Sequence, residues 1–227
     1  MDLIEKRKKE TEQQKDKRKK LVVAAAVKVF IEKGIENTKM TDIAEKAEIG
    51  IASVYRYFKT KTEIVIEAAI SFWDTEINIF HDTLENDYDK LSGLERVSKI
   101  LDIFIKTYTN HKYFFRFIED FDNYVVKENI AKERLSSYEK NILKLMPVMI
   151  DALELGKKDG SINPNIKSEK FYMTISHTLI SLSQKLILRN IILDSDNYFE
   201  GKAQLELVKD MALKYIENKN YGGMQNE

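Results

Sequence analysis

Residues 38–64, TKMTDIAEKAEIGIASVYRYFKTKTEI, decide the fold. Met40, Ile43, Ala44 and Ala47 recur at three-to-four spacing, so a short helix presents them to a core while Asp42, Lys46 and Glu48 face water. The period breaks at Glu48-Ile49-Gly50. A second short run follows, in which Val54, Phe58 and, at the edge of that face, Ile51 can point inward. Two short helices joined by a tight turn form the unit that lays its second helix in a DNA major groove. Gly50 stands where the second helix needs its N-cap, a position that tolerates glycine but gains no side-chain hydrogen bond from it. Ala52, Ser53, Tyr55 and Arg56 are then left on the outer side. Ala52 permits close approach, Ser53 can donate to or accept from a base or phosphate, Arg56 carries the fork that matches a guanine edge, and Tyr55 offers a hydroxyl to a phosphate. Just downstream, Thr60 and Glu63 have the spacing of a capping box, so a new helix starts at Thr60. Its free N–H groups and positive dipole end, with Lys61 in the first turn, make a site for one phosphate oxygen.

Outward from this segment, the alanine-rich run from Leu21 to Lys33 reads as a helix with Val23, Ala26, Val27 and Phe30 inward, stopped by Gly34. The twenty residues before it are polar and dense in lysine and arginine. They read equally as a solvated helical extension or as an arm that adds phosphate or minor-groove contacts. The formal charge of the whole chain is zero, but residues 1–64 hold 16 Lys or Arg against 11 Asp or Glu, a net of +5 that the remainder cancels. This split favours one-sided attraction to phosphate.

The 38–64 segment and the helix before it resemble the TetR family of bacterial transcriptional regulators. The matching positions are Ala25, Phe30, Gly34, Thr38, Ile43, Ala44, Ala47, Tyr55, Tyr57, Phe58 and Lys61, which span about a quarter of the chain. The resemblance implies an N-terminal three-helix DNA-binding domain over 1–64 and a helical effector-binding and dimerisation domain over 65–227. It implies phosphate contacts at Tyr55 and Lys61 and base reading around Ser53 and Arg56. Thr38, Ile51, Ala52 and Tyr57 complete the expected DNA-binding set, although packing is the stronger reading for Tyr57 and Phe58. Two positions depart from the family: Glu48 stands where many members have glycine, and Gly50 where many have a serine cap. Glu48 near a phosphate backbone is repulsive unless it points away.

Beyond Ile64 long stretches keep helical periodicity, and the whole chain has only two prolines. Helices are expected near 61–84, 94–109, 112–126, 132–157, 167–190 and 200–219, with Pro147 kinking the fourth; the fold class is all-α. The last two carry Phe171, Ile175, Leu179, Leu182 and Leu186, then Leu205, Val208, Met211, Ala212 and Tyr215, one apolar stripe each. In the resembled family the last two long helices pair with their symmetry mates, so a homodimer is expected, with reading helices about one DNA turn, roughly 34–36 Å, apart. The middle of the chain is rich in aromatics, and HKYFFRFIEDFDNY places them around most of a helix. The resemblance supplies a small-molecule effector, for which Trp73, Phe104, Tyr108, Phe117 and Phe121 are the candidate lining and His111, Arg116 or His177 the candidate polar contact.

Other classes fare worse. The carboxylates Glu119, Asp120 and Asp122 near His111 fall on different faces of a helix, so a shared catalytic site is not expected. His81, His111 and His177 lack metal-ligand spacing, no glycine-rich phosphate loop occurs, and cysteine is absent, which excludes disulfides and thiolate metal sites. No cofactor is expected. No apolar run is long enough for a bilayer span and the charged N-terminus is unlike a signal peptide, which points to a cytoplasmic protein without a membrane partner. The expected function is a repressor that leaves a palindromic double-stranded operator when an effector binds. The alternative is a DNA-bound adaptor that recruits a protein through its C-terminal helices without an effector.

Overall fold

The structure, a computed structural model, describes residues 3–84, 88–189, 192 and 194–219. Among these, ten α-helices and four short 3-10 turns account for the regular structure: α1 (Leu3–Lys33), α2 (Met40–Lys46), α3 (Ile51–Tyr57), α4 (Lys61–Thr83), α5 (Gly93–Asn110), α6 (Lys112–Lys127), α7 (Ser136–Ile142), α8 (Met146–Asp159), α9 (Ser168–Arg189) and α10 (Gly201–Ile216). The protein is all-α. Its chain forms two compact units, one of residues 1–74 with 117–141, the other of 75–116 with 142–227.

The first unit is built on the second half of α1. Val22, Ala25, Ala26, Val29 and Phe30 are buried there, whereas Val27 is only half-buried, so the inward stripe is wider than the expected one. Gly34 at φ +78° ends the helix in the left-handed conformation that glycine adopts without strain, and its N–H donates to Phe30 O at 2.8 Å. Ile43 and Ala44 from α2, Ala47 at its C-cap, Val54 from α3, and Ile64, Val65, Ala68, Ala69 and Phe72 from α4 complete the small core. The latter part of α6 adds Phe117, which stacks on Phe72 at 4.3 Å between ring centroids, and Phe121, which meets Tyr138 of α7 at 4.6 Å.

In the second unit α5 packs on α8 and α10, and α9 on both of these. The approach of α5 to α8 is closest at Gly93 and Gly156, where a Cβ on Gly93 would sit 2.0 Å from the Gly156 nitrogen. Ser92 starts α5 with a capping box: its hydroxyl accepts from Glu95 N at 3.4 Å, and the Glu95 carboxylate accepts from Ser92 N at 2.8 Å.

Two expectations are corrected. The single helix over 132–157 is instead a 3-10 turn (132–135), α7, a second 3-10 turn (143–145) and α8, and Pro147 lies in the first turn of α8 rather than kinking a longer helix. Early in a helix its missing N–H has no partner to lose. The apolar residues of α10 do not form one stripe either. Leu205, Ala212 and Ile216 are buried in their own unit, while Leu207, Met211 and Tyr215 are exposed at 60%, 63% and 70%.

Candidate nucleic-acid interface

The turn between α2 and α3 is held by backbone alone. Ala47 N donates to Ile43 O at 2.9 Å, Glu48 N to Glu45 O at 3.0 Å and Ile49 N to Ala44 O at 3.1 Å, and the reversal requires Glu48 to take φ +54°. This is the left-handed region, which explains why glycine suits the position and why Glu48 is strained there. Gly50 caps α3 in extended conformation without a side-chain bond, and Ser53 N donates to its carbonyl at 2.8 Å.

Val54, fully buried, and Phe58, 3% exposed, anchor α3, and this fixes which residues look outward. Ile51, Ala52, Tyr55 and Arg56 are exposed, Ser53 and Tyr57 half-buried. Ile51 therefore belongs to the outer face and not to the core. The Arg56 guanidinium lies 5.3 Å from the centroid of the Tyr57 ring, and its Nη2 is 3.4 Å from Ser53 Oγ, so the fork is steadied beside α3 without an acidic partner among the described residues.

At the start of α4 the Thr60 hydroxyl accepts from Glu63 N at 3.3 Å, and the Glu63 carboxylate reaches back to Lys59 N at 2.8 Å. Lys61 donates to the carbonyl of Glu36 at 3.0 Å and lies 5.8 Å from the Tyr124 ring centroid. Burial pulls its pKa down, opposed by Glu128 and Glu36. The ammonium has three protons, so this tether holds it near the helix start while leaving donors over. Thr38 is placed differently from the rest: it is 2% exposed and its hydroxyl donates to Gly34 O at 2.7 Å, closing the turn after α1.

The eight candidate effector residues divide between the units. Trp73, Phe117 and Phe121 are buried in the first, where Trp73 Nε1 donates to the Tyr138 hydroxyl at 3.1 Å. One helical turn along, Asn141 Nδ2 donates to Ile70 O at 2.9 Å, while its Oδ1 is buried with no hydrogen-bond partner among the described residues. The sequence does not single out Tyr138 and Asn141, because these bonds join positions 65 and 71 residues apart. Phe104, Tyr108, His111 and His177 fall in the second unit. Phe104 is half-buried, His177 exposed, and Tyr108 borders a cavity of about 390 Å³ with Lys112, Phe199 and Lys202. His111 Nδ1 lies 2.8 Å from the carboxylate of Glu76, whose pKa burial pushes up and His111 pulls back. Arg116 is exposed.

Residues 22–68 match the family model described as bacterial regulatory proteins, tetR family. The repressor KstR2 of Mycolicibacterium smegmatis is 27% identical over 162 residues, covering 67% of this chain and 71% of that protein. The transcriptional regulator SAB2452 of Staphylococcus aureus is 34% identical over 67 residues, 28% of this chain and 36% of its own length. Among solved structures, a regulator from Saccharomonospora viridis in complex with choline superposes with a TM-score of 0.70 at 13% identity, covering 90% of this chain and all of that one (100%). The fatty acid degradation regulator FadR of Bacillus halodurans gives 0.62 at 15% identity, covering 86% of this chain and 94% of the other.

Proposed function

We propose that this chain, whose residues 22–68 match the model of the tetR family of bacterial regulatory proteins, is a repressor of that type that grips a palindromic operator as a homodimer and releases it when a small hydrophobic or amphipathic effector binds. The observation that carries the DNA reading is the orientation of α3. Its apolar anchors Val54 and Phe58 turn Ile51, Ala52, Tyr55 and Arg56 together to solvent, with Ser53 at their edge. Arg56 reads a base, most simply guanine through O6 and N7, and Ser53 assists it; Tyr55 and Lys61 hold phosphates that set the register.

The homodimer reading is supported by the outer face of α10. Leu207, Met211 and Tyr215 recur every four residues and remain exposed, and a cavity of about 550 Å³ bordered by Met211 and Tyr215 is lined further by Phe171, Ile175 and Val208, with Lys167 and Lys170. A patch of this kind on α9 and α10 suits a self-complementary twofold interface.

For the effector, the buried aromatic cluster of the first unit is the best-supported place. Trp73, Phe117, Phe121 and Tyr138 supply apolar surface there, and Asn141 Oδ1, buried with no hydrogen-bond partner among the described residues, would accept from a ligand hydroxyl or amine. An effector acts by favouring the conformation that misplaces α3, and it lowers operator affinity by its differential affinity for that conformation and no more.

The test is selection of bound duplexes from a random pool by the purified full-length protein at a stated salt concentration. A palindromic site is the expected result, and a pool without enrichment from clean dimer overturns the reading. Trp73 is the sole tryptophan and is bonded to Tyr138, so quenching or a shift of its emission by a candidate effector, together with loss of the selected duplex, tests the release step.

A further inference from the structure

α1 does not begin where its core-facing stripe begins. It runs unbroken from Leu3, and its first half faces no core: the described side chains up to Arg18 are exposed. Nothing apolar explains why about five helical turns precede Leu21. Thr11, Gln14, Lys15 and Arg18, spaced three and four apart, share one face of this extension. With Arg56 and Tyr57 they line a groove of about 410 Å³. The ammonium of Lys19 lies 5.4 Å from the centroid of the Phe58 ring, which moors the extension to the end of the reading helix. Residues 1–20 carry nine Lys or Arg against five Asp or Glu. Among the described residues neither Lys15 nor Arg18 has an ion-pair partner, although acidic side chains are close in sequence.

We infer that the first half of α1 is a second DNA-contacting element, in which Lys15 and Arg18 hold operator phosphates flanking the bases that Arg56 reads. The inference rests on the DNA reading proposed for α3. The groove is open and continuous with the outer side of α3, and it has Arg56 as a common wall, so a duplex engaged by α3 brings its backbone to this positive face. Such contacts add affinity and salt dependence and leave the preferred sequence alone.

The experiment titrates salt against affinity for the selected operator, using the full-length parent and three double variants. K15Q/R18Q empties the groove face; K17Q/K20Q removes the same charge from helix positions that do not line the groove; K15R/R18K keeps the charge. We expect K15Q/R18Q to lose at least about tenfold in affinity at 0.1 M salt and to flatten the slope of log K against log salt by about two for each bound protomer. K17Q/K20Q keeps the parent slope, K15R/R18K restores most of the affinity, and all select the same sequence. Parental affinity and slope in K15Q/R18Q, equal losses in the two glutamine variants, or no recovery in K15R/R18K overturns the inference while the α3 reading stands. A parent that selects no operator removes the reading itself, and the inference with it.

Discussion

Glu48 is held at φ +54° by a turn that glycine makes without strain, at a cost on the order of 1 kcal/mol. Glu48→Gly relieves that strain, less the added backbone entropy of glycine in the unfolded chain, so we expect a gain on the order of 0.5 kcal/mol in urea denaturation. It also removes a negative charge close to the proposed phosphate path, so operator affinity should rise. A less stable variant would show that the turn depends on the Glu48 side chain. Arg56 and Lys61 separate by their proposed roles. Arg56→Ala should cost about 1–3 kcal/mol on the preferred operator and relax discrimination at one base position. Lys61→Ala should weaken all sequences alike and reduce the salt slope by about one. An Arg56→Ala protein that ranks operator variants as the parent does would remove arginine from the base-reading role.

Two helix contacts illustrate how local chemistry sets the elements. The Asp42 carboxylate accepts from Lys39 N at 2.7 Å and from Lys33 Nζ at 3.0 Å, and the backbone bond first, then Lys33, holds its pKa below the ordinary value of 3.8. A depressed folded pKa means this support is present above the unfolded value and is lost as the pH falls through the folded one. Asp42→Asn should therefore lower the melting temperature at neutral pH, and the deficit should shrink on acidification through that range. An unchanged deficit would assign the effect to packing. In the second unit, α5 and α8 meet through glycine backbones, and a Cβ on Gly93 would fall 2.0 Å from Gly156 N and 2.6 Å from the carbonyl oxygen of Ala152. Backbone cannot step aside as a side-chain tip can. Gly93→Ala should destabilise by about 2–3 kcal/mol, read as a lower urea midpoint.

The molecule as a whole needs a twofold partner if two reading helices are to meet one palindrome. Leu207→Glu with Met211→Glu puts two charges on the exposed face of α10, and the expected outcome is a folded monomer by sedimentation that no longer retains the selected duplex. A dimer that survives both charges would place the interface elsewhere. The sequence by itself determined the helical class and the helix-turn-helix, because periodicity, Gly34, Gly50 and the Thr60–Glu63 spacing are local signals readable within a few residues. It could not determine where a helical stretch stops being one helix, because the breaks between 132 and 146 carry no glycine, and the proline beyond them lies inside the first turn of α8. Nor could it apportion the apolar faces. Leu205 and Met211 are equally apolar in a list, and only packing sends one inward and leaves the other in water. The same holds for function. The outward set on α3 was legible because its anchors are local, whereas the neighbours of Trp73, the closing of Thr38 onto Gly34 and the groove joining Lys15 and Arg18 to Arg56 exist only when distant segments are brought together.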